Sequence, residues 1–519
     1  MNDRIHFDSS RLTLEEKVGQ LFTFYNTGKE LSELTEKMIR DWKVGGIFLD
    51  MGSLDHPEQV YRLTRAMQET ALQTGSGIPL FISADLVAGA GCKLASGGAV
   101  HFPKNKAIGA AGSADLAYET GRITATESLA MGVNFNYSPV VDINNNPLNP
   151  VIGTHSFGED RDQVGRMGQA VIRGYQDHGI IATAKHFPGH GDTSVDSHFD
   201  LPVLPFDRER LSRFELEPFR LAIAAGADAV MVGHIAVPAL DSSLMPASLS
   251  PKMTTGLLRE ELGFQGLIVT DGLSMKGVTS RFSQAEACVM AIQAGADILL
   301  ALARTAEEAG PMVKAVLDAV LSGAISEARL SESVDRILRM KAKYKLLPHS
   351  FHIPTYDPAA FHRPEYEEVS LRVARAAVTP VNGFQPYPGR GAGTPEPAWT
   401  LICEHQLGTF AEQIRSAGVI KTEHTLKGYE ELLPLLKEGL PPDPVLVAIT
   451  YNKRMRSEVL QELNRLAAGR AGGSVVLVHF GSPYDLEHLP NVPAIVLYDR
   501  APSLQQAAAE TWLGLGSHH

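Results

Sequence analysis

The stretch Lys185-His186-Phe187-Pro188-Gly189-His190-Gly191-Asp192-Thr193-Ser194-Val195-Asp196-Ser197-His198 gathers one lysine, three histidines and two aspartates. An apolar run at residues 180–184 leads into it and reads as a buried strand. Pro188, Gly189 and Gly191 prevent the strand from continuing, so the segment is expected to be a loop at a strand end. A loop so dense in titratable groups costs stability unless it binds or reacts with something. Acid–base work is the chemistry these groups suit. Asp196 and His198 stand two apart, and their side chains can meet if Ser197 turns. A carboxylate beside an imidazole holds it in one tautomer. As imidazolium the ring could protonate a leaving oxygen; as neutral imidazole it could next take a proton from water.

Such an acid/base needs a nucleophile on the other side of the bond. In a glycosidase that retains configuration this is a carboxylate. Asp271 is the candidate: it follows the apolar run at residues 266–270 and precedes Gly272, whose small size would let a sugar approach. The bland alternatives are a helix-capping aspartate at 271 and an Asx-turn with a satisfied histidine at 196–198. Lys185 and His186 should point into the same rim, where an ammonium could hold sugar hydroxyls; a lysine snorkelling at a sheet edge is the other reading. His190 is expected to brace the loop. His186, His190, Asp192, Asp196 and His198 could instead be metal ligands. No helical H-E-x-x-H or H-x-x-E-H spacing is present, and a Pro/Gly loop is a poor rigid platform, so a metal site stays open only as the less favoured reading.

The elements that must position these groups follow a pattern. Thr13-Leu14-Glu15-Glu16 is a capping box, with Val18, Leu21 and Phe22 continuing an apolar helix face. Strands are predicted at 44–49, 78–83, 133–142, 229–234, 266–271 and 297–302. Helices are predicted at 57–74, 113–131, 162–179, 215–226, 252–262 and 285–295, with two more over 305–345. Seven or eight such alternations favour a TIM-like (β/α)8 barrel over an open doubly wound sheet. Asp85, Asp142, Lys185, His186, His234 and Asp271 all fall at C-terminal strand ends, which share one rim in a barrel. After it, proline and glycine crowd residues 379–398, and apolar runs at 399–403, 445–449, 475–479 and 495–498 predict a smaller α/β sandwich domain with a parallel sheet of four or five strands. The expected organisation is a catalytic barrel at 1–348, a linker at 349–398 and the C-terminal α/β domain at 399–519.

Composition narrows the partners. The net charge of −12 argues against nucleic acid or an anionic membrane surface. The C-terminal α/β domain shows no G-x-G-x-x-G nucleotide fingerprint at a strand end. Cys92, Cys288 and Cys403 are far apart and read as free thiols in a reducing compartment. The first residues lack an apolar h-region and no run reaches the ~18 apolar residues of a membrane span, so a cytoplasmic location is expected.

Taken together, Lys185-His186-Phe187-Pro188-Gly189-His190-Gly191-Asp192-Thr193, then Asp196-Ser197-His198, then Asp271 within Ile268-Val269-Thr270-Asp271-Gly272-Leu273-Ser274-Met275-Lys276-Gly277 resemble the family 3 glycoside hydrolases, in their bacterial β-N-acetylhexosaminidase branch. The resemblance covers residues 10–345, and more weakly the second domain. It implies a covalent glycosyl-enzyme intermediate on Asp271 and a His198–Asp196 acid/base dyad. It implies that Asp85, Lys185 and His186 hold a terminal N-acetylglucosamine (GlcNAc), with no metal or organic cofactor. It also implies the role of cytoplasmic members in trimming GlcNAc from muropeptides. This chain departs from the family's D-Q-E-G-G-x-V-x-R segment, which here is Asp85-Leu86-Val87-Ala88-Gly89-Ala90-Gly91-Cys92-Lys93. Val87 replaces the glutamate and Lys93 the arginine; a second sugar-binding arginine is His155. An arginine fork replaced by lysine or histidine is not a conservative change. Phosphorolysis in place of hydrolysis, and a non-catalytic sugar-binding protein, are the alternatives.

Overall fold

The structure, a computed structural model, describes residues 7–387, 398–451, 454–470 and 474–515. The chain divides into two compact units. The first is drawn from the stretch ending at Val100, from Ala117–Val151 and from Glu159–Arg363. The second is drawn from His101–Leu116, Ile152–Gly158 and the described residues from Pro364 onward.

The first unit is a barrel. Its strands are β1 (Phe22–Asn26), β2 (Gly46–Leu49), β3 (Phe81–Ala84), β4 (Phe135–Asn136), β5 (Ile181–Phe187), β6 (Ala229–Val232), β7 (Leu267–Thr270) and β8 (Leu299–Ala301). They lie in the order β7-β6-β5-β4-β3-β2-β1-β8, every neighbouring pair parallel. A bridge between Val269 and Ile298, with the Thr270 N–H donating to the Ile298 carbonyl at 3.0 Å, joins the two ends. β3, β6 and β7 are buried at every residue. Parallel strands covered on both faces read as continuous apolar runs, which is why the sequence announces them so clearly. The helix Leu14–Gln20 starts at the Thr13 capping box, where Glu16 accepts the Thr13 N–H at 2.9 Å.

Three expectations are corrected. Phe22 does not extend the first helix; that helix ends at Gln20 and Phe22 opens β1. The strand predicted over 133–142 pairs regularly only at Phe135–Asn136, with Val140 bridging to Lys185; Pro139 has no N–H to give to a ladder. β5 runs on to Phe187, beyond the apolar run that ends at Ala184, so the strand is longer than expected while Lys185 and His186 end it as expected. At the N-terminal end of β8, the buried Asp297 takes Arg259 at 2.7 Å, Arg336 at 3.2 Å, the Ser333 hydroxyl at 2.6 Å and the Ile268 N–H at 3.0 Å. A buried carboxylate with that many donors is compensated.

The second unit holds β9 (Thr379–Val381), β10 (Trp399–Glu404), β11 (Ile420–Leu426), β12 (Val445–Ile449), β13 (Val475–His479) and β14 (Ala494–Val496), in the order β11-β10-β12-β13-β14-β9. Five strands are parallel, and β9 is antiparallel to β14, so the sheet is mixed rather than parallel throughout. The stretch 349–398 carries the helix Pro364–Ala377 and β9, so it is not linker throughout. Residues 388–397 of its Pro/Gly-rich part lie outside the described residues. Cys288 and Cys403 are free thiols; burial pushes Cys288 up, and Cys403 up to about 12. Among the described residues no helix is long and apolar enough to cross a membrane.

Candidate active site

Strand ends of the barrel bring the polar residues together. Lys185, buried on β5, donates from Nζ to Asp85 Oδ1 at 2.7 Å, just beyond β3. Two expected sugar-binding residues are thus partners of each other. The chain after β3 is pinned by Asn136 of β4, which accepts the Leu86 N–H at 2.9 Å and donates to the Leu86 carbonyl at 3.3 Å.

Asp142 is the hub beneath the loop, with no exposed surface. Its Oδ1 accepts the N–H groups of His186 at 3.1 Å and His190 at 2.7 Å, and its Oδ2 lies 2.8 Å from His186 Nδ1. A carboxylate only accepts, so His186 Nδ1 carries a proton and the ring is fixed in orientation. Burial pushes Asp142 up, but the charge and hydrogen bond of His186 and the backbone N–H of His190 outweigh it and hold the carboxyl below the usual range. A carboxyl depressed in the folded state stabilises fully above its unfolded value, about 4, and that contribution is lost as pH falls through the folded value. Asp142→Ala should therefore cost about 3 kcal/mol at neutral pH, by leaving buried donors unpaired. It should also flatten the fall in urea midpoint below about pH 4.

His190 is buried and braces the loop, as expected. The Thr193 hydroxyl donates to the His190 carbonyl at 3.1 Å, so its oxygen accepts from His190 Nδ1 at 2.7 Å. Burial pushes the His190 ring down, toward the neutral form. Nε2 of that neutral ring accepts from the Ser197 hydroxyl at 3.1 Å. Ser197, between Asp196 and His198, is thereby tied to the strand end. Asn149 donates to the carbonyls of His190 and Gly191 at 2.8 and 3.0 Å, and Asn145 to Asp192 at 2.6 Å. Gly191 allows this approach: a Cβ there would lie 1.8 Å from the Ile143 carbonyl oxygen. Gly191→Ala should displace the loop at a cost of about 1–3 kcal/mol, read as a lowered unfolding midpoint.

Asp196 and His198 do meet. Asp196 Oδ1 accepts the His198 N–H at 2.9 Å and the ring Nδ1–H at 2.7 Å. The carboxylate is half-buried and the imidazole exposed, with Nε2 at the far side of the ring. The Asx-turn and the oriented imidazole are therefore one arrangement rather than competing readings.

Asp271 follows β7 directly, its N–H donating to the Val232 carbonyl at 3.0 Å and its Oδ1 accepting from the Gly272 N–H at 2.7 Å. Burial pushes this carboxyl up; the charges of His186 and Lys185 and the Gly272 N–H pull it below the usual range, so it is an anion at neutral pH. The space beside Gly272 is not open, as the sequence reading supposed. A Cβ there would lie 3.1 Å from the Tyr25 hydroxyl and 3.7 Å from Met275. Tyr25 was not singled out in the sequence. It stands near the end of β1, and burial and the charges of Asp271 and Asp85 push its hydroxyl well up, so it remains a donor. The Gly277 N–H donates to the Ser197 carbonyl at 3.0 Å, joining the segment after Asp271 to the one that carries His198.

Lys93 ends the turn Ala90–Lys93 and is half-buried. His155 belongs to the second unit, in the turn Gly153–His155, where its carbonyl accepts from Asn105 at 2.9 Å. Among the described residues no group of three or more His, Cys, Asp and Glu is placed to hold a metal ion.

Comparison with known proteins gives the arrangement its context. Residues 13–340 match the model of the glycosyl hydrolase family 3 N terminal domain. "Beta-hexosaminidase A" of Pseudoalteromonas piscicida is 34% identical over 371 residues, covering 68% of this chain and 61% of that protein. "Beta-N-acetylglucosaminidase/beta-glucosidase" of Cellulomonas fimi is 34% identical over 379 residues, covering 70% and 64%. The chain thus spans less than two thirds of the length of these two relatives. A solved family 3 β-N-acetylglucosaminidase from Paenibacillus sp. str. FPU-7 superposes with a TM-score of 0.87 at 35% identity, over 97% of each chain. With the family model spanning the whole barrel, this chain belongs to glycosyl hydrolase family 3.

Proposed function

We propose that this chain is a retaining exo-acting β-N-acetylglucosaminidase. One observation carries the reading. An ionised, half-buried carboxylate at Asp271 and a carboxylate-oriented imidazole at His198 stand on segments joined by the Gly277–Ser197 hydrogen bond. The names of the similar proteins support the sugar class.

In the first step Asp271 attacks the anomeric carbon while the bond to the leaving oxygen breaks, and the proton on His198 Nε2 passes to that oxygen. In the second, neutral Nε2 takes a proton from water, the water attacks the anomeric carbon, and Asp271 is released. Asp196 keeps Nδ1 protonated throughout, so only Nε2 changes state. Asp85, Lys185 and His186 hold the terminal sugar, with Lys93 in place of an arginine expected of the family. Catalysis is assigned to the barrel, 1–348. The natural substrate in this reading is terminal GlcNAc on muropeptides, met in the cytoplasm.

The test is a panel of aryl β-glycosides and purified muropeptides, assayed with and without phosphate. Release of free GlcNAc, unaffected by phosphate, is the expected result. No turnover of any GlcNAc substrate overturns the proposal, and a sugar 1-phosphate among the products replaces hydrolysis with phosphorolysis.

A further inference from the structure

His234 follows β6 and is wholly buried. Its Nε2 lies 2.9 Å from the Gly272 carbonyl oxygen and its Nδ1 lies 2.7 Å from the Ser248 hydroxyl. A carbonyl only accepts, so Nε2 carries the proton. Burial pushes this imidazole down, so the ring is neutral and Nδ1 accepts from Ser248. Gly272, held through its carbonyl by His234, gives its N–H to Asp271 Oδ1 at 2.7 Å. A Cβ at Gly277 would lie 3.1 Å from the His234 Cβ and 3.3 Å from the Ser197 carbonyl oxygen. His234 therefore sits beneath both the segment after Asp271 and the one before His198.

We infer that His234 is a positioning residue, whose Nε2–H bond to Gly272 fixes the Asp271 carboxylate in the line of attack, with the Ser248 hydroxyl anchoring the ring at Nδ1. The inference rests on the reading of Asp271 as nucleophile. Through Gly272 the ring sets a carboxylate it does not itself hydrogen-bond. Misplacement of a reacting atom by about 1 Å can cost on the order of 100-fold in rate. A residue that merely filled space could be replaced by any side chain of similar volume.

The test compares His234→Leu, which fills volume without a donor, with His234→Gln, whose amide can reach toward Gly272. Both are assayed on aryl β-GlcNAc substrates with an activated (2,4-dinitrophenyl) and a poor leaving group. His234→Leu should lower kcat about 100-fold on both substrates by the same factor, with KM within about threefold, because a misplaced nucleophile slows bond formation whatever departs. His234→Gln should recover to within about tenfold of the parent. Folded protein is matched by circular dichroism. Should His234→Leu fail to fold, Ser248→Ala is read instead, with a loss of about tenfold in kcat expected from a ring that has lost its anchor at Nδ1. Parent-like kcat in the folded variant overturns the inference, as does a loss confined to the poor leaving group, which would put His234 on the acid's side. Asp271→Ala is run in parallel. If it is inactive while His234→Leu is unaffected, only this inference fails; if it is active, the nucleophile reading itself has failed.

Discussion

Asp271→Ala should lower turnover of an aryl β-GlcNAc by about 10,000-fold or more, because the reaction loses the atom that bonds to the anomeric carbon. The loss should be the same for activated and poor leaving groups, since neither can depart faster than its replacement arrives. KM should change little, as the sugar's hydroxyls are assigned to Asp85, Lys185 and His186. The acid side of the kcat/KM profile carries a second signature. The folded Asp271 carboxyl is held below the usual value, so the parent should keep its nucleophile ionised as pH falls through about 4. Unchanged turnover in Asp271→Ala, measured by release of the aryl group, would remove the nucleophile from the account.

His198→Ala should show a different profile. With a poor leaving group kcat should fall by about 100- to 10,000-fold, the range associated with loss of a positioned acid. With a 2,4-dinitrophenyl leaving group, which departs without a proton, formation of the intermediate should be nearly unaffected. Its breakdown should then become slow, because no base remains to activate water. Azide needs no base, so adding it should restore turnover and yield the glycosyl azide. Equal losses on both substrates, with no effect of azide, would contradict the role. Asp196→Ala should resemble His198→Ala in weaker form, since the imidazole remains but its Nδ1 loses the acceptor at 2.7 Å.

The barrel was legible because its strands are short apolar runs largely buried on both faces, most of them followed by a polar residue at the C-terminal side. Asp85, Asp142, Lys185, His186, His234 and Asp271 were visible as strand ends on that account alone. What escaped has identifiable causes. β1 follows the first helix with little punctuation: Val18, Leu21 and Phe22 continue one apolar face, so the turn at Leu21 is hidden and Tyr25 with it. β11 alternates between half-buried and exposed residues until Leu426, carrying Lys421, Glu423 and His424 at an edge of the sheet, so it has no apolar run to read. The helix Pro364–Ala377 went unread, although Tyr366, Val369, Val373 and Ala377 stand at helical spacing, because the proline- and glycine-rich composition that follows drew the linker over it. The hub role of Asp142 and the bond from His234 to Gly272 were beyond sequence reading, because each depends on partners brought together only by the closed barrel.

The central claim is a covalent bond between sugar and Asp271, made and broken with His198 opposite. The most direct measurement is mass spectrometry of a peptide digest of His198→Ala, quenched in acid after brief exposure to 2,4-dinitrophenyl β-GlcNAc. The account predicts one added N-acetylhexosamine on the peptide that contains Asp271, absent when Asp271 is also replaced by alanine. A digest with no adduct while dinitrophenol is released, or with the adduct on another peptide, would contradict it.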